Sequence, residues 1–194
     1  MSSIIRPALV LFGALTLVCG VLYPAAVTGA GRAAFAHEAD GSLLAADGRT
    51  VGSSLIGQPF SKPGYFWGRP SSTAPMANNA AGSGGSNQGP TNPALVDAVK
   101  ARVEALRRLD PDNRAPVPVD LVTASASGLD PEISIAAAEY QAGRIAAARK
   151  LPEQQVRALI ERYRKAPVLG FIGTPRVNVL ALNLALDGKA ARAQ

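Results

Sequence analysis

One histidine and one cysteine stand among the 14 carboxylates of this 194-residue chain. His37 and Cys19 have no partners of their own kind, so no metal set of His and Cys ligands can be spaced out of them. A Ser–His–acid relay would rest on a single His close to a long apolar segment, a poor place for it. Polar groups gather instead in two stretches. The run Val119–Pro131 carries Asp120, Ser125, Ser127 and Asp130. Asp and Ser hydrogen-bond local backbone, so turn and cap duty is their plain role and a partner or nucleotide contact the sharper one. Gly82–Gly89 supplies Ser83, Gly84, Gly85, Ser86 and Asn87, a loop that tempts a phosphate-cradle reading. A Walker-type loop needs GxxxxGK[ST], whose lysine reaches the terminal phosphates. No lysine follows these glycines, and no strand immediately precedes them. The residues therefore point to binding rather than to catalysis.

What must position these stretches is a domain behind a long greasy segment. Pro7 to Gly31 contains no charged residue. A helix of about 20 apolar residues crosses a hydrocarbon core of roughly 30 Å and satisfies its own backbone. A cleaved signal peptide competes, with Ala34-Phe35-Ala36 as a cut site and Arg6 as the basic start. Signal cores, however, run about 7–15 residues. A lipoprotein acylated at Cys19 is disfavoured by the bulk of Val18 before it. The sequence thus predicts residues 1–6 as a short cytoplasmic N-terminus, 7–31 as a transmembrane helix and 32–194 as a soluble domain. The α-amine and Arg6 precede the span, so the positive-inside rule favours an N-terminus inside and a domain outside the cytoplasm, with Arg32 after the span weakening the contrast. Gly13, Ala14 and Gly20 would let partner helices approach closely, and Pro24 would kink the helix near Gly20.

The expected fold class is α/β (α+β): a single N-terminal transmembrane helix followed by one mixed α/β extracytoplasmic domain. Short strands at 42–44 and 50–56 flank the turn Asp47-Gly48, a hairpin signal. Tyr65–Pro70 reads as an aromatic core strand or an anchored loop, with a partner-facing aromatic patch as the alternative. Residues 71–93 have no hydrophobic period; a loop that long is functional or disordered. Asn92-Pro93 then opens a helix with Val96, Val99, Val103 and Leu106 on one face. Val117–Ala126 alternates as a short strand. Asp130-Pro131, or alternatively Ser134, starts a second helix, with Ile133, Ala137, Tyr140 and Ala148 on its buried face. Val156, Leu159, Ile160 and Tyr163 mark a third. Pro167–Gly173 is a connector or short strand. Thr174-Pro175 opens a last helix with Asn178 and Asn183 as polar interruptions and Gly188 just past its end, with a strand over Val177–Leu186 as the alternative. The formal net charge of +6 could suit an anionic surface, but with 5% aromatics no base-stacking platform is apparent and nucleic acid is not an expected partner.

Beside this reading stands a resemblance. Gly57-Gln58-Pro59-Phe60, Tyr65–Ser71, Ser83–Asn87, Gly89–Pro93, Val119–Pro131 and Val177–Asp187 together resemble the C subunit of the bacterial Kdp-type potassium-transporting ATPase, over nearly the whole chain. The Val119–Pro131 run carries most of that specificity; Gln88, Glu132 and Ile135 depart from the pattern at its flanks. The resemblance implies a single-pass subunit of the bacterial inner (cell) membrane without chemistry of its own. It implies assembly with a potassium-channel-like subunit and an ATP-hydrolysing P-type subunit, and a catalytic-chaperone role that raises the pump's ATP affinity. No cofactor of its own is expected; ATP would be shared with the ATPase subunit. On that view Ser83, Gly84, Gly85, Ser86, Asn87, Asn92, Asp120, Ser125, Ser127 and Asp130 are candidate partner or nucleotide contacts. An outside domain conflicts with direct contact to cytoplasmic ATP, so action through membrane helices is the alternative. The rival function is a stand-alone tethered or secreted ligand-binding module.

Overall fold

A computed structural model describes residues 4–189 and 192–193; Met1–Ser3, part of the expected short N-terminus, lie outside them. Two compact units divide the chain, one covering 1–43 with 193–194 and the other Leu44–Arg192.

The first unit is dominated by one helical run of 30 residues, Ile5–Ala34, long and apolar enough to cross a membrane and with none of its apolar face buried. It comprises α1 (Ile5–Leu17), a π turn (Val18–Leu22) and α2 (Tyr23–Ala34). Pro24 explains the π turn. Its ring displaces the carbonyl of Gly20 and it offers no N–H in return. Widening the preceding turn absorbs the mismatch. The Tyr23 N–H accordingly reaches back five residues to the Val18 carbonyl. A short helix α3 (Ala36–Ala39) follows.

The second unit packs helices around a two-stranded sheet. Strand β1 (Leu43–Ala46), beginning at the boundary, is joined to β2 (Arg49–Ser53) through Asp47 and Gly48, whose φ angles of 53° and 74° match a hairpin turn. These strands share a small sheet, ordered β2-β1-β5, with β5 (Arg192–Ala193). Helix α4 (Pro93–Leu109) starts as the sequence predicts: the Asn92 side chain accepts from the Ala94 N–H at 2.9 Å. Of its apolar face Leu106 is fully buried, whereas Val96 stays 41% exposed.

Three readings change. Val117–Ala126 forms no strand: Val119–Leu121 is a 3-10 turn, with Leu121 and Val122 buried in succession and Val119 exposed. The Thr123 N–H and hydroxyl both bond back to the Val119 carbonyl, at 2.9 and 2.7 Å, which curls the segment. Asp130-Pro131 and Thr174-Pro175 open strands, not helices. β3 (Glu132–Ser134) pairs antiparallel with β4 (Arg176–Asn178), with Ile133 opposite Val177. Each strand then turns directly into a helix capped by its own last residue. Ser134 caps α5 (Ile135–Arg149) through the Ala137 N–H at 3.0 Å, and Asn178 caps α7 (Val179–Leu186) through the Ala181 N–H at 3.0 Å. A residue preceding Pro leans extended, so a strand just after each Pro is no surprise once a partner strand exists.

α5 is the central helix. Ala137, Ala138, Ala142 and Ile145 are fully buried, while Ala148 is exposed, contrary to its expected place in the core. Its alanines let α6 (Glu153–Tyr163) approach, and the predicted α6 stripe packs there, Val156 and Ile160 at 0% exposure. α7 contributes Val179 and Leu182 to the same core and Leu180 and Leu184 to a smaller cluster with Ala46. It ends as expected at Gly188, φ 69°, where the Gly188 N–H bonds Ala185 O and the Lys189 N–H bonds Leu184 O, a Schellman closure.

Candidate functional site

The polar stretches singled out by sequence meet in part. Ser127 is the junction: its carbonyl accepts from the Gly84 N–H at 2.9 Å and from the Ser83 hydroxyl at 3.1 Å. A side chain on Gly85 would come within 2.9 Å of the Ala126 carbonyl. Gly128, φ 68°, lies where a Cβ would stand 2.5 Å from the Thr73 methyl and 2.8 Å from the Gly84 carbonyl. Both positions demand glycine, Gly85 for close approach and Gly128 for conformation as well. The glycine loop is thus seated on Ser125–Gly128.

Residues 71–93 prove ordered through side chains that replace a ladder. The Ser71 hydroxyl donates to Gly128 O at 2.7 Å and accepts from the Asn78 N–H at 2.9 Å. The Asn78 amide reaches the same Gly128 carbonyl at 3.3 Å. Thr73 Oγ1 donates to Met76 O, and the Asn79 amide donates to Ala74 O. Asn79 also caps the 3-10 turn Ala80–Gly82. Ser86 and Asn87 are exposed at the tip, and Asn92 serves as the α4 cap.

Both candidate carboxylates hold backbone. Asp120 accepts from the Ser134 N–H at 2.7 Å and from its hydroxyl at 3.2 Å, bracing the start of α5. Asp130 accepts from the Glu132 N–H at 3.0 Å and pairs with Arg69 Nη1 at 3.1 Å. Arg69 also donates to Ala124 O, tying the segment 65–70 to the Val119–Pro131 run. Arg69 faces a polar cleft of about 290 Å³ with Asp120, Asp130, Glu132 and Arg176. It also faces a second of about 260 Å³ with Phe60, Trp67, Arg102 and Leu121. Ser125 is buried; its N–H donates to Pro70 O, while its hydroxyl has no partner among the described residues.

Sequence reasoning missed what secures the aromatic segment. Among the described residues no strand pairs with Tyr65–Pro70; side-chain amides do so instead. Asn183, on α7, accepts from the Phe66 N–H at 2.8 Å and donates to the Phe66 carbonyl at 3.0 Å. Gln141, on α5, does the same for Trp67, at 2.8 and 3.1 Å. Phe66 is wholly buried and Trp67 half-buried, its indole N–H donating to Lys62 O. Arg144 donates to the carbonyls of Pro63 and Tyr65 and lies 5.3 Å above the Trp67 ring. Burial pushes its guanidinium down to about 10, with Asp110 and Tyr140 opposing. Arg149 lies 4.6 Å above Tyr65 and bonds Gly64 O and Asp187. The signal was an Asn inside the otherwise apolar α7 and a Gln among the alanines of α5, since such residues are buried only when hydrogen-bonded.

The Gly84 N–H is taken by Ser127 and the Gly82 N–H by Asn79 O, so two of the loop's donors are committed within the domain. Residues 71–93 contain no charged side chain. Among the described residues no group of three or more His, Cys, Asp or Glu could hold a metal ion. Gly13, Ala14 and Gly20 are all exposed on the apolar helix, and a Cβ at either glycine would meet nothing within 4 Å.

Fold and site together define an α+β domain carried behind a helix fit to cross a membrane, with Asp120, Asp130, Gln141 and Asn183 bonding its backbone. The family model described as "K+-transporting ATPase, c chain" matches residues 5–188. The chain is 66% identical over 187 residues to the potassium-transporting ATPase KdpC subunit of Herminiimonas arsenicoxydans, covering 96% of this chain and 98% of that one. The same-named subunit of Janthinobacterium sp. (strain Marseille) is 62% identical over 96% of this chain and 99% of its own. That of Variovorax paradoxus (strain S110) is 64% identical over 98% and 99%. The chain belongs to the KdpC family, the c chain of the K+-transporting ATPase.

Proposed function

We propose that the chain is an accessory subunit of a high-affinity, ATP-driven potassium uptake complex, assembling with a channel-like subunit and an ATP-hydrolysing subunit. The near-full-length family match carries this reading. The apolar helix is its membrane anchor, with the N-terminus in the cytoplasm and the α+β domain outside. Glycine and alanine at 13, 14 and 20 pack against partner helices, and the exposed tip Ser86-Asn87 meets a partner surface. Its effect on ATP use runs through subunit contacts in two pump states rather than through nucleotide held by the glycine loop.

Co-purification from native membranes tests assembly. Gly20→Leu clashes with nothing in this chain, so it should leave the domain's melting unchanged and weaken recovery of partners about tenfold. Equal recovery would remove the helix from the interface. A Cys19→Ser, Ser86→Cys chain should react with an impermeant maleimide from outside intact cells. Reaction only after permeabilisation would reverse the orientation. A monodisperse chain that binds a ligand and recovers no partners would favour the stand-alone module.

A further inference from the structure

Between α6 and β4 the chain projects a small hairpin, residues 165–176. Its neck is a bridge between Lys165 and Arg176, whose backbone bonds measure 2.8 and 3.2 Å. Its tip is a second bridge, Val168 to Ile172. Around that tip Val168 is 57%, Leu169 79%, Phe171 76% and Ile172 51% exposed. Four large apolar side chains within five residues form the densest exposed apolar cluster among the described residues outside the Ile5–Ala34 helix. Monomeric surfaces carry such residues singly, and a cluster marks a covered surface.

Three observations say what covers it. First, the tip satisfies its own backbone. The N–H groups of Val168, Gly170, Phe171 and Ile172 bond to carbonyls within the hairpin, at 2.9, 3.1, 3.3 and 2.9 Å. Backbone entering hydrocarbon must be paired internally, and this one largely is. Second, the base is cationic. Residues 161–176 hold Arg162, Arg164, Lys165 and Arg176 against Glu161. Glu132, which pairs with Lys165 and Arg176, leaves the collar positive. An apolar tip above a basic collar complements acyl chains beneath anionic headgroups. Third, the same chain bears a helix long and apolar enough to be anchored in a bilayer. Tethering raises the effective concentration of that surface, so a weak insertion suffices.

We infer that the hairpin 165–176 dips Val168, Leu169, Phe171 and Ile172 into the surface of an anionic bilayer, holding the domain against the membrane. This rests on the Ile5–Ala34 helix being a membrane anchor. The full chain, Cys19→Ser with Phe171→Cys carrying an environment-sensitive fluorophore, is reconstituted into phosphatidylethanolamine–phosphatidylglycerol vesicles. Nitroxides on the lipid acyl chains should quench this probe about threefold more than the same probe at Ser86→Cys. Phosphatidylcholine vesicles, or about 1 M salt, should reduce that quenching, because both weaken attraction between the collar and the headgroups. An unchanged Trp67 emission spectrum reports that the domain is folded; if it shifts, Leu169→Cys is read instead. Iodide quenching equal to that at Ser86, with no nitroxide effect, would overturn the inference. So would shielding that appears only when the other pump subunits are co-reconstituted, which would assign the hairpin to a protein groove. Failure of the chain to float with vesicles would instead sink the anchor itself.

Discussion

Asn183→Leu isolates the device that holds the aromatic segment. Asn183 is 2% exposed, and Phe66, whose N–H and carbonyl it satisfies, is 0% exposed. The leucine roughly fills the space but strands both backbone groups where water cannot reach. Each lost bond contributes about 1 kcal/mol net, and each buried group left unpaired costs about 1–3 kcal/mol. Offsetting about 1 kcal/mol for the added apolar surface leaves a loss of about 3 kcal/mol. For a domain of this size that lowers the melting temperature by roughly 6–12 °C. Trp67, the sole tryptophan, is next to Phe66, so its fluorescence in detergent-solubilised full chain reports the transition. Ser86→Ala, at an exposed loop tip, should melt with the parent. Adding Gln141→Leu should cost less than its single effect, because a segment already loosened at Phe66 has less left to lose at Trp67. A drop below about 2 °C for Asn183→Leu would refute the claim that these amides stand in for a missing strand.

Two further outcomes are expected. Gly128→Ala combines a left-handed backbone with contacts to Thr73 and the Gly84 carbonyl; it should destabilise by about 2–3 kcal/mol and raise protease cleavage within residues 71–93. Tyr140→Phe should be neutral or slightly stabilising at pH 7, because the buried hydroxyl has no partner to lose. Burial, and then Asp110, raise the Tyr140 phenol above its ordinary 10.0. The folded state therefore keeps this proton while the unfolded state releases it. The stability it contributes is fully present below pH 10.0 and is lost as pH rises through the higher folded value. Alkaline melting curves should thus fall less steeply for Tyr140→Phe; identical slopes would place the phenol in water.

Local signals carried a good part of the fold. Asn92-Pro93, Asp47-Gly48 and Gly188 each fix a cap or turn through their own chemistry, and each lies where its residues predict. The α6 stripe was legible for the same reason: burial of one helical face writes a period into the chain. The failures are non-local. Asp130-Pro131 and Thr174-Pro175 look like helix starts until one knows that the three residues after each pair with one another across more than 40 positions. Only that pairing turns Ser134 and Asn178 into the caps. Val119–Thr123 alternates like a strand, yet with no neighbouring strand to bond it curls onto its own carbonyl.

The site was half-legible for a related reason. Asp120, Ser127 and Asp130 bond backbone as predicted, the Ser127 hydroxyl and Asp130 at the nearby Leu129 and Glu132 N–H groups and Asp120 at the Ser134 N–H. What the sequence does not show are the distant partners: the backbone carbonyl of Ser127 receives the Gly84 N–H, and Asp130 pairs with Arg69. This redirects the search for partner contacts. The exposed groups that come first as contacts to another subunit are Ser86 and Asn87 at the loop tip, beside the apolar helix. Asp130→Ala, which removes the Arg69 pair and the bond to the Glu132 N–H, should disturb melting and assembly together. Substituting Ser86 should reach assembly alone, and an assembly defect for Asp130→Ala without any change in melting would break that division.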